Sequence, residues 1–235
     1  WLYSIFRIIK KDAIRHNNVA FLSAAERGHL KICQWFCLTF GLTKEEVTIG
    51  YNYAFRWAAE GGHLKICKWI YTTYNLTKGD VTLNDNEAFR WAAKNGHLGT
   101  CEWIHETFGL TRKYATVKDN YAFRYAAWGG HLEVCKWLHS VYKITKEEAT
   151  SDNNSAFRWA SIGGRLEVCK WLYETFDITK EDAMWGHNEA FRRAANRGHL
   201  EVCKWLYETF DITKEDAMID NNYAFIYAAG NCQIE

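Results

Sequence analysis

The chain has 235 residues, of which 29 are basic and 28 are acidic, so its formal net charge is +1. This balance argues against a general affinity for nucleic acid, which needs an excess of basic charge on one face. Proline is absent and aromatic residues make up 16% of the chain, so helices can run uninterrupted and large rings are available for a core or an interface. No stretch of 18 apolar residues occurs, which predicts no membrane span.

A Gly-His-Leu turn returns every 34 residues, with Arg165 replacing the His in one copy. A fixed period of this length indicates a stacked array, in which each unit buries its apolar face on its neighbours. Both ends of the chain fall within a repeat, so we expect a segment of a longer array. The predicted organisation is one repeat domain over 1–235, divided into a partial repeat 1–15, repeats 16–49, 50–83, 84–117, 118–151, 152–185 and 186–219, and a partial repeat 220–235.

An asparagine near the start of each unit precedes an Ala-Phe pair and two further small residues, as in Asn52, Phe55, Ala58 and Ala59. The i, i+3, i+4 spacing from the Phe forms one apolar stripe of a first helix. Asn is a good N-cap, because its side-chain oxygen accepts from amides of the first turn. We therefore predict that this asparagine caps the first helix, at Asn18, Asn52, Asn86, Asn120, Asn154, Asn188 and Asn222.

A second helix follows each Gly-His-Leu turn. Leu132, Cys135 and Leu138 share one stripe, and Trp137 widens it. A helix that is apolar over more than half its circumference is buried on two sides. Ser/Thr-x-x-Glu is the capping-box pattern, and Thr145 with Glu148 predicts a short third helix before the next asparagine.

The order of these elements along the whole chain resembles the ankyrin repeat. The motifs Ala-Phe-Arg-Trp-Ala-Ala and Cys-Lys-Trp-Leu are similar to those of ankyrin-like arrays in giant viruses of amoebae and some protists. Two features differ, because Tyr53–Arg56 replaces the family's Thr-Pro-Leu-His and the capping box occupies the place of the β-hairpin finger. The predicted fold is all-α, an α-solenoid of about seven stacked ankyrin-like helix-turn-helix repeats with little or no β-hairpin. Tetratricopeptide repeats share the period, but their Pro near the end of the unit is missing.

Cysteines recur at the 34-residue period, and a disulfide or a metal site is the alternative to a buried apolar role. Helices of adjacent repeats pack about 8–10 Å apart, beyond the reach of a disulfide, and structural zinc needs four ligands around one point. We predict small buried side chains, and hence a reducing intracellular compartment, either the cytoplasm or nucleus or, for a viral protein, the host cell or virion. The cysteines are Cys33, Cys67, Cys101, Cys135, Cys169 and Cys203.

For the turn histidines, a metal site is likewise the alternative to a structural role. Because Arg165 occupies one of their positions, we expect hydrogen bonding in the turn rather than metal binding. No phosphate-binding loop occurs, and no Ser-His-Asp set can be singled out. The sequence predicts no enzyme, no cofactor and no metal.

The side of the first helix away from the Phe carries arginines and aromatic rings, together with Glu87, Ile162 and Glu189. In stacked repeats this side lines the concave surface, and Arg, Trp and Tyr are enriched in binding hot spots. The alternative is that the arginines bond to the neighbouring repeat and the tryptophans are half-buried filler. The predicted partner-binding residues are Tyr53, Arg56, Trp57, Arg90, Trp91, Tyr121, Arg124, Tyr125, Trp128, Arg158, Trp159, Arg192 and Arg193.

The resemblance implies a non-catalytic scaffold for protein–protein interaction, and its viral variant implies a viral factor or a virion component. Nucleic-acid binding by a ladder of arginines and aromatic rings is one alternative, with arginines contacting phosphates and tryptophans stacking on bases. The low net charge and the two glutamates on the same side argue against it. Self-association of the array is the other alternative. No membrane partner is expected.

Overall fold

The structure is a computed structural model that describes residues 8–218 and Ile226. These residues form helices joined by short turns, and no β-strand occurs among them, which confirms the all-α prediction. The short helices are Lys10–Ala13, Lys44–Val47, Lys78–Val81, Arg112–Ala115, Lys146–Ala149 and Lys180–Ala183. The first helices are Arg15–Glu26, Ile49–Glu60, Leu83–Lys94, Val117–Gly129, Ser151–Ile162 and Trp185–Asn196. The second helices are Leu30–Phe40, Leu64–Tyr74, Leu98–Phe108, Leu132–Tyr142, Leu166–Phe176 and Leu200–Phe210.

The chain divides into two compact units, the first ending at Ala115 and the second beginning at Thr116. Within each unit, successive first helices pack side by side in chain order. Each first helix also packs on the second helix of its own repeat. None of the helices within 8–218 is both long enough and apolar enough to cross a bilayer.

Each first helix begins with a left-handed turn, which the sequence pattern did not reveal. Three consecutive residues have φ near +60° at 50–52, 84–86, 118–120, 152–154 and 186–188. This conformation costs most L-residues roughly 1–2 kcal/mol each, and Gly, Asn and Asp tolerate it best. The cost explains the composition of these triplets, such as Asn84-Asp85-Asn86.

The recurring asparagine is the last residue of this turn, and the prediction that its side chain caps the first helix is wrong. Asn52 is 1% exposed, and its Nδ2 donates to the carbonyl of Asp80 in the next short helix at 3.4 Å. Asn154 donates in the same way to the carbonyl of Asp182 at 3.2 Å. The asparagine therefore links one repeat to the next at Asn18, Asn52, Asn86, Asn120 and Asn154. Asn222 lies outside the described residues.

The capping boxes of the short helices are confirmed. The Thr145 amide donates to Glu148 Oε2 at 2.9 Å, and the Glu148 amide donates back to Thr145 Oγ1 at 3.4 Å. The lysine that follows the capping threonine reaches the next repeat, since Lys146 Nζ donates to the carbonyl of Asp177 at 2.6 Å. The short helix therefore both replaces a hairpin and adds a link between repeats.

The Gly-His-Leu turn also links repeats, whereas the sequence predicted only hydrogen bonding in the turn. His63 Nε2 lies 2.8 Å from the carbonyl oxygen of Glu26 in the preceding repeat. Arg165 takes the place of this His and donates through Nε to the carbonyl of Trp128 at 3.1 Å. Gly62 has φ +71°, and a Cβ there would clash with the His97 ring, so both its backbone and its neighbour require glycine.

The core consists of the Phe of each first helix and the apolar stripe of each second helix. Phe157 is fully buried, and its ring centroid lies 6.1 Å from that of Trp205 in the next repeat. The recurring cysteines are buried or half-buried, and all those within the described residues are unpaired thiols, which confirms the apolar interpretation. Burial raises the pKa of Cys169 to about 12. The compartment inferred from these thiols stays a prediction.

Candidate functional site

The first-helix face is the side of the first helices that carries Arg56, Trp57 and their equivalents in the other repeats. Its members differ in exposure. Arg56, Arg90, Arg124 and Arg158 are buried. The half-buried members are Tyr53, Trp57, Trp91, Tyr121, Tyr125, Trp159 and Arg192. Trp128 and Arg193 are exposed, and Trp128 reaches 40% exposure.

The arginines hold the left-handed turns. Arg158 Nε donates to the carbonyl of Asn153 at 2.7 Å, and its NH2 group donates to the carbonyl of Asp152 at 3.3 Å. Arg90 and Arg192 bind the carbonyls of their own turns in the same way. These carbonyls belong to residues whose left-handed geometry takes them out of a regular helical ladder. A guanidinium offers five donors in a planar fork, which fits two adjacent carbonyls.

Three of the arginines also bind the next repeat of their own unit. Arg56 pairs with Glu87 in the first unit, and Arg158 pairs with Glu189 in the second. Arg124 binds Asp152 and also donates to Ser155 Oγ at 3.2 Å. A buried guanidinium is tolerated only when its charge is matched. The interpretation that the arginines bond to the neighbouring repeat is therefore confirmed for these three.

Aromatic rings cover the buried guanidiniums. The Arg56 guanidinium lies 4.8 Å from the Tyr53 centroid and 5.4 Å from that of Trp91. Arg124 lies 5.4 Å from the Trp159 centroid. Such contacts contribute about 0.5–2 kcal/mol, more when the cation is shielded from water. Each ring is thus fixed on one side by an arginine.

An open groove of about 330 Å³ lies on this face within the second unit. Its lining residues are Tyr125, Trp128, Trp159, Ile162, Glu189, Arg193 and Arg197. The Tyr125 ring meets Trp159 at 5.0 Å and Trp128 at 5.9 Å between centroids, edge to face in both cases. Tyr121 stacks on Tyr125 at 3.9 Å. Packed rings of this kind form a rigid apolar surface that is open to solvent.

The middle of the chain matches a known protein family. Residues 89–182 match the family model described as ankyrin repeats, three copies. This segment of the chain therefore consists of ankyrin repeats. No curated protein matches the chain. The ankyrin repeat family is generally non-catalytic, and its presence suggests a scaffold for protein–protein interaction.

The charges around the groove come from the repeat at 186–219. Glu189 is bound by Arg158 and by Arg193, whose Nε lies 2.6 Å from Glu189 Oε1. The Arg193 side chain remains 52% exposed, and Arg197 is exposed. The groove therefore combines an apolar surface with a basic rim.

Sequence reasoning placed Tyr125, Trp128, Trp159 and Arg193 on one face, and the packing of the repeats brings these four together. It missed Arg197, which lies just beyond the end of a first helix, although its position four residues after Arg193 would have placed it on the same face. It also missed Trp185, whose ring lies 4.6 Å from the Arg158 guanidinium. Among residues 8–218, no group of three His, Cys, Asp or Glu side chains is placed to hold a metal ion.

Proposed function

We propose that this ankyrin repeat protein is a non-catalytic scaffold that binds a partner protein through its first-helix face. The groove at Tyr125, Trp128 and Trp159 is the centre of the contact. The observation that carries the proposal is the exposure of packed aromatic rings in an open groove. Trp and Tyr near the centre of an interface are the side chains whose truncation costs most binding energy.

The members of the predicted set have two roles in this proposal. Exposed and half-buried rings contact the partner, while Arg56, Arg90, Arg124, Arg158 and Arg192 hold those rings and the left-handed turns in place. Preorganised rings lose little conformational freedom on binding, which favours affinity. Arg193 contacts the partner directly, because half of its side chain is exposed. Each unit offers its own stretch of the face, with Tyr53, Trp57 and Trp91 in the first.

Nucleic-acid binding is less favoured on physical grounds. Arg56, Arg124 and Arg158 already donate to carbonyls or pair with carboxylates. A phosphate would have to displace these partners, and the net charge of +1 supplies little long-range attraction. Self-association stays an alternative outcome of the experiment below. The viral resemblance extends the proposal to a viral factor that binds a host protein, or to a virion component, in a reducing compartment.

Site-specific photo-crosslinking tests the proposal. A benzophenone amino acid replaces Trp128 in one variant and Tyr207 in a control variant. Tyr207 is 59% exposed on a second helix, so both positions are accessible to solvent. Both proteins are irradiated in an extract of the native cells. We expect discrete protein adducts from position 128 that position 207 does not form.

The other outcomes separate the alternatives. Adducts that disappear on nuclease treatment would replace protein binding by nucleic-acid binding. Adducts with the mass of two copies of this chain would favour self-association. The same adducts from both positions, or none from position 128, would refute the first-helix face as the binding surface.

A further inference from the structure

We propose that the groove of the second unit receives a peptide segment with one large apolar side chain and an adjacent carboxylate. The apolar side chain would lie against Trp128 and Ile162, and the carboxylate would meet Arg193 and Arg197. This inference rests on the proposed function, because it names the chemistry of the partner at the same groove.

The apolar part of the groove is confined to two neighbouring repeats. Glu60, Lys94, Trp128, Ile162 and Asn196 occupy the same position in successive repeats, and only Trp128 and Ile162 are apolar. The groove volume of about 330 Å³ is at the lower end of the 300–1,000 Å³ typical of small-molecule pockets. It therefore suits one aromatic or branched side chain rather than a whole helix face.

The basic part of the groove is the argument for a carboxylate. Two of the lining residues are arginines, and the one lining carboxylate, Glu189, is matched by Arg158 and Arg193. No ion pair joins Arg197 to a carboxylate within residues 8–218. A surplus of guanidinium charge beside an apolar surface selects an anionic partner group, and Arg binds carboxylates through two parallel hydrogen bonds.

A cationic ligand is the main competitor, because aromatic rings also bind ammonium groups. The geometry disfavours it. The Tyr125 ring meets Trp159 and Trp128 edge to face at 5.0 and 5.9 Å, so the three rings fill the space between them instead of enclosing a cage. The two arginines would also repel an ammonium group.

The test is a selection of random displayed peptides on the whole chain, followed by synthesis of the enriched sequence. We expect enrichment of a large apolar residue with Asp or Glu beside it. Measured by fluorescence anisotropy, Arg197→Glu should lower the affinity for the synthetic peptide at least about tenfold. Replacing the peptide carboxylates by amides should lower the affinity by a similar factor. Trp128→Ala should also weaken binding, with circular dichroism confirming that each variant is folded.

Lys204→Glu is the matched control, since Lys204 is an exposed basic residue on a second helix. It should change the affinity less than about twofold, as expected for a charge remote from the contact. Equal losses from Arg197→Glu and Lys204→Glu would overturn the inference, as would enriched peptides that lack acidic residues. Peptides without acidic residues whose binding still requires Trp128 would leave the proposed function intact. Failure to enrich any peptide also overturns the inference, and crosslinking at position 128 then decides the proposed function separately.

Discussion

Two stretches of the second unit have identical sequences and different surroundings. Leu166–Met184 and Leu200–Met218 agree at every position. Their second helices have the same length, and each ends on a left-handed Asp, Asp177 or Asp211. Both contain the same Glu–Lys pair three residues apart, at 3.4 and 3.1 Å. Local sequence therefore accounts for the helix, its end and its surface charges.

Burial differs between the two copies. Cys169 is fully buried, whereas Cys203 is half-buried. Tyr173 is 36% exposed and packs against Trp205 and Phe210 at 5.9 and 5.5 Å, whereas Tyr207 is 59% exposed. Each stretch presents the same apolar surface, and Trp205 and Phe210 of the following repeat pack on the first. The stability contributed by a repeat thus depends on its neighbour as well as on its own residues.

The largest expected difference concerns the Phe of the first helices. Phe157→Ala should lower the free energy of unfolding by about 3–5 kcal/mol, because a fully buried ring is lost and a cavity remains. Phe191→Ala, one repeat later, should cost about half as much, since Phe191 is half-buried. Urea unfolding followed by circular dichroism measures both. Equal costs would mean that the following repeat does not determine burial.

The tyrosines of the identical copies sharpen the same point. Tyr173→Ala should cost about 2 kcal/mol, because it removes two edge-to-face contacts with the next repeat. Tyr207→Ala should cost less than about 0.5 kcal/mol, as is usual for an exposed side chain. The two variants are compared by the same urea titration. A cost at Tyr207 that matches the cost at Tyr173 would contradict the packing described here.

The thiols of the two copies predict that the free energy of unfolding depends on pH. Burial raises the pKa of Cys169 and of Cys203 to about 12, above the value of about 8.5 expected in the unfolded chain. The folded state therefore holds protons that the unfolded state releases. The resulting stability is complete below about pH 8.5 and is lost as the pH rises toward 12, by up to about 1.4 kcal/mol per pH unit and thiol.

Urea unfolding between pH 8 and 10.5 under reducing conditions measures this slope. Cys169→Ala and Cys203→Ala should each reduce it, while the contributions of lysines and tyrosines cancel in the comparison with wild type. A slope that both variants leave unchanged would show that these thiols titrate alike in the folded and unfolded states.

The smallest effect is expected where one repeat differs from the others by an oxygen atom. Ser161 replaces the usual Ala, donates to the carbonyl of Phe157 at 2.9 Å and lies 3.5 Å from Cys169 Sγ. Ser161→Ala should change the free energy of unfolding by less than about 0.5 kcal/mol, because the hydroxyl adds a second bond within its own helix. Ala195→Ser, the reverse change one repeat later, should be equally small. A loss of more than 1.5 kcal/mol at Ser161 alone would assign the hydroxyl a role in the core.

Much of the fold could be predicted because it depends on short-range chemistry. The period, the apolar stripes, and the capping box at Thr145 and Glu148 follow from spacing and side-chain type. The role of the recurring asparagine did not follow, because its partner is a carbonyl 28 residues later in another repeat. The composition of the triplet that ends in this asparagine, rich in Asn, Asp and Gly, was the available signal for a left-handed turn.

The candidate site, like the fold, was predicted only in part from the sequence. Residue type and helical spacing alone identified an aromatic and arginine-rich face, because both are local properties of the first helix. Only the packing of one repeat on the next decided that the guanidiniums of Arg56, Arg124 and Arg158 are turned to protein partners while the Trp128 ring stays open to solvent. Burial is a property of a surface and whatever covers it, so identical letters can be fully buried at one repeat and half-buried at the next.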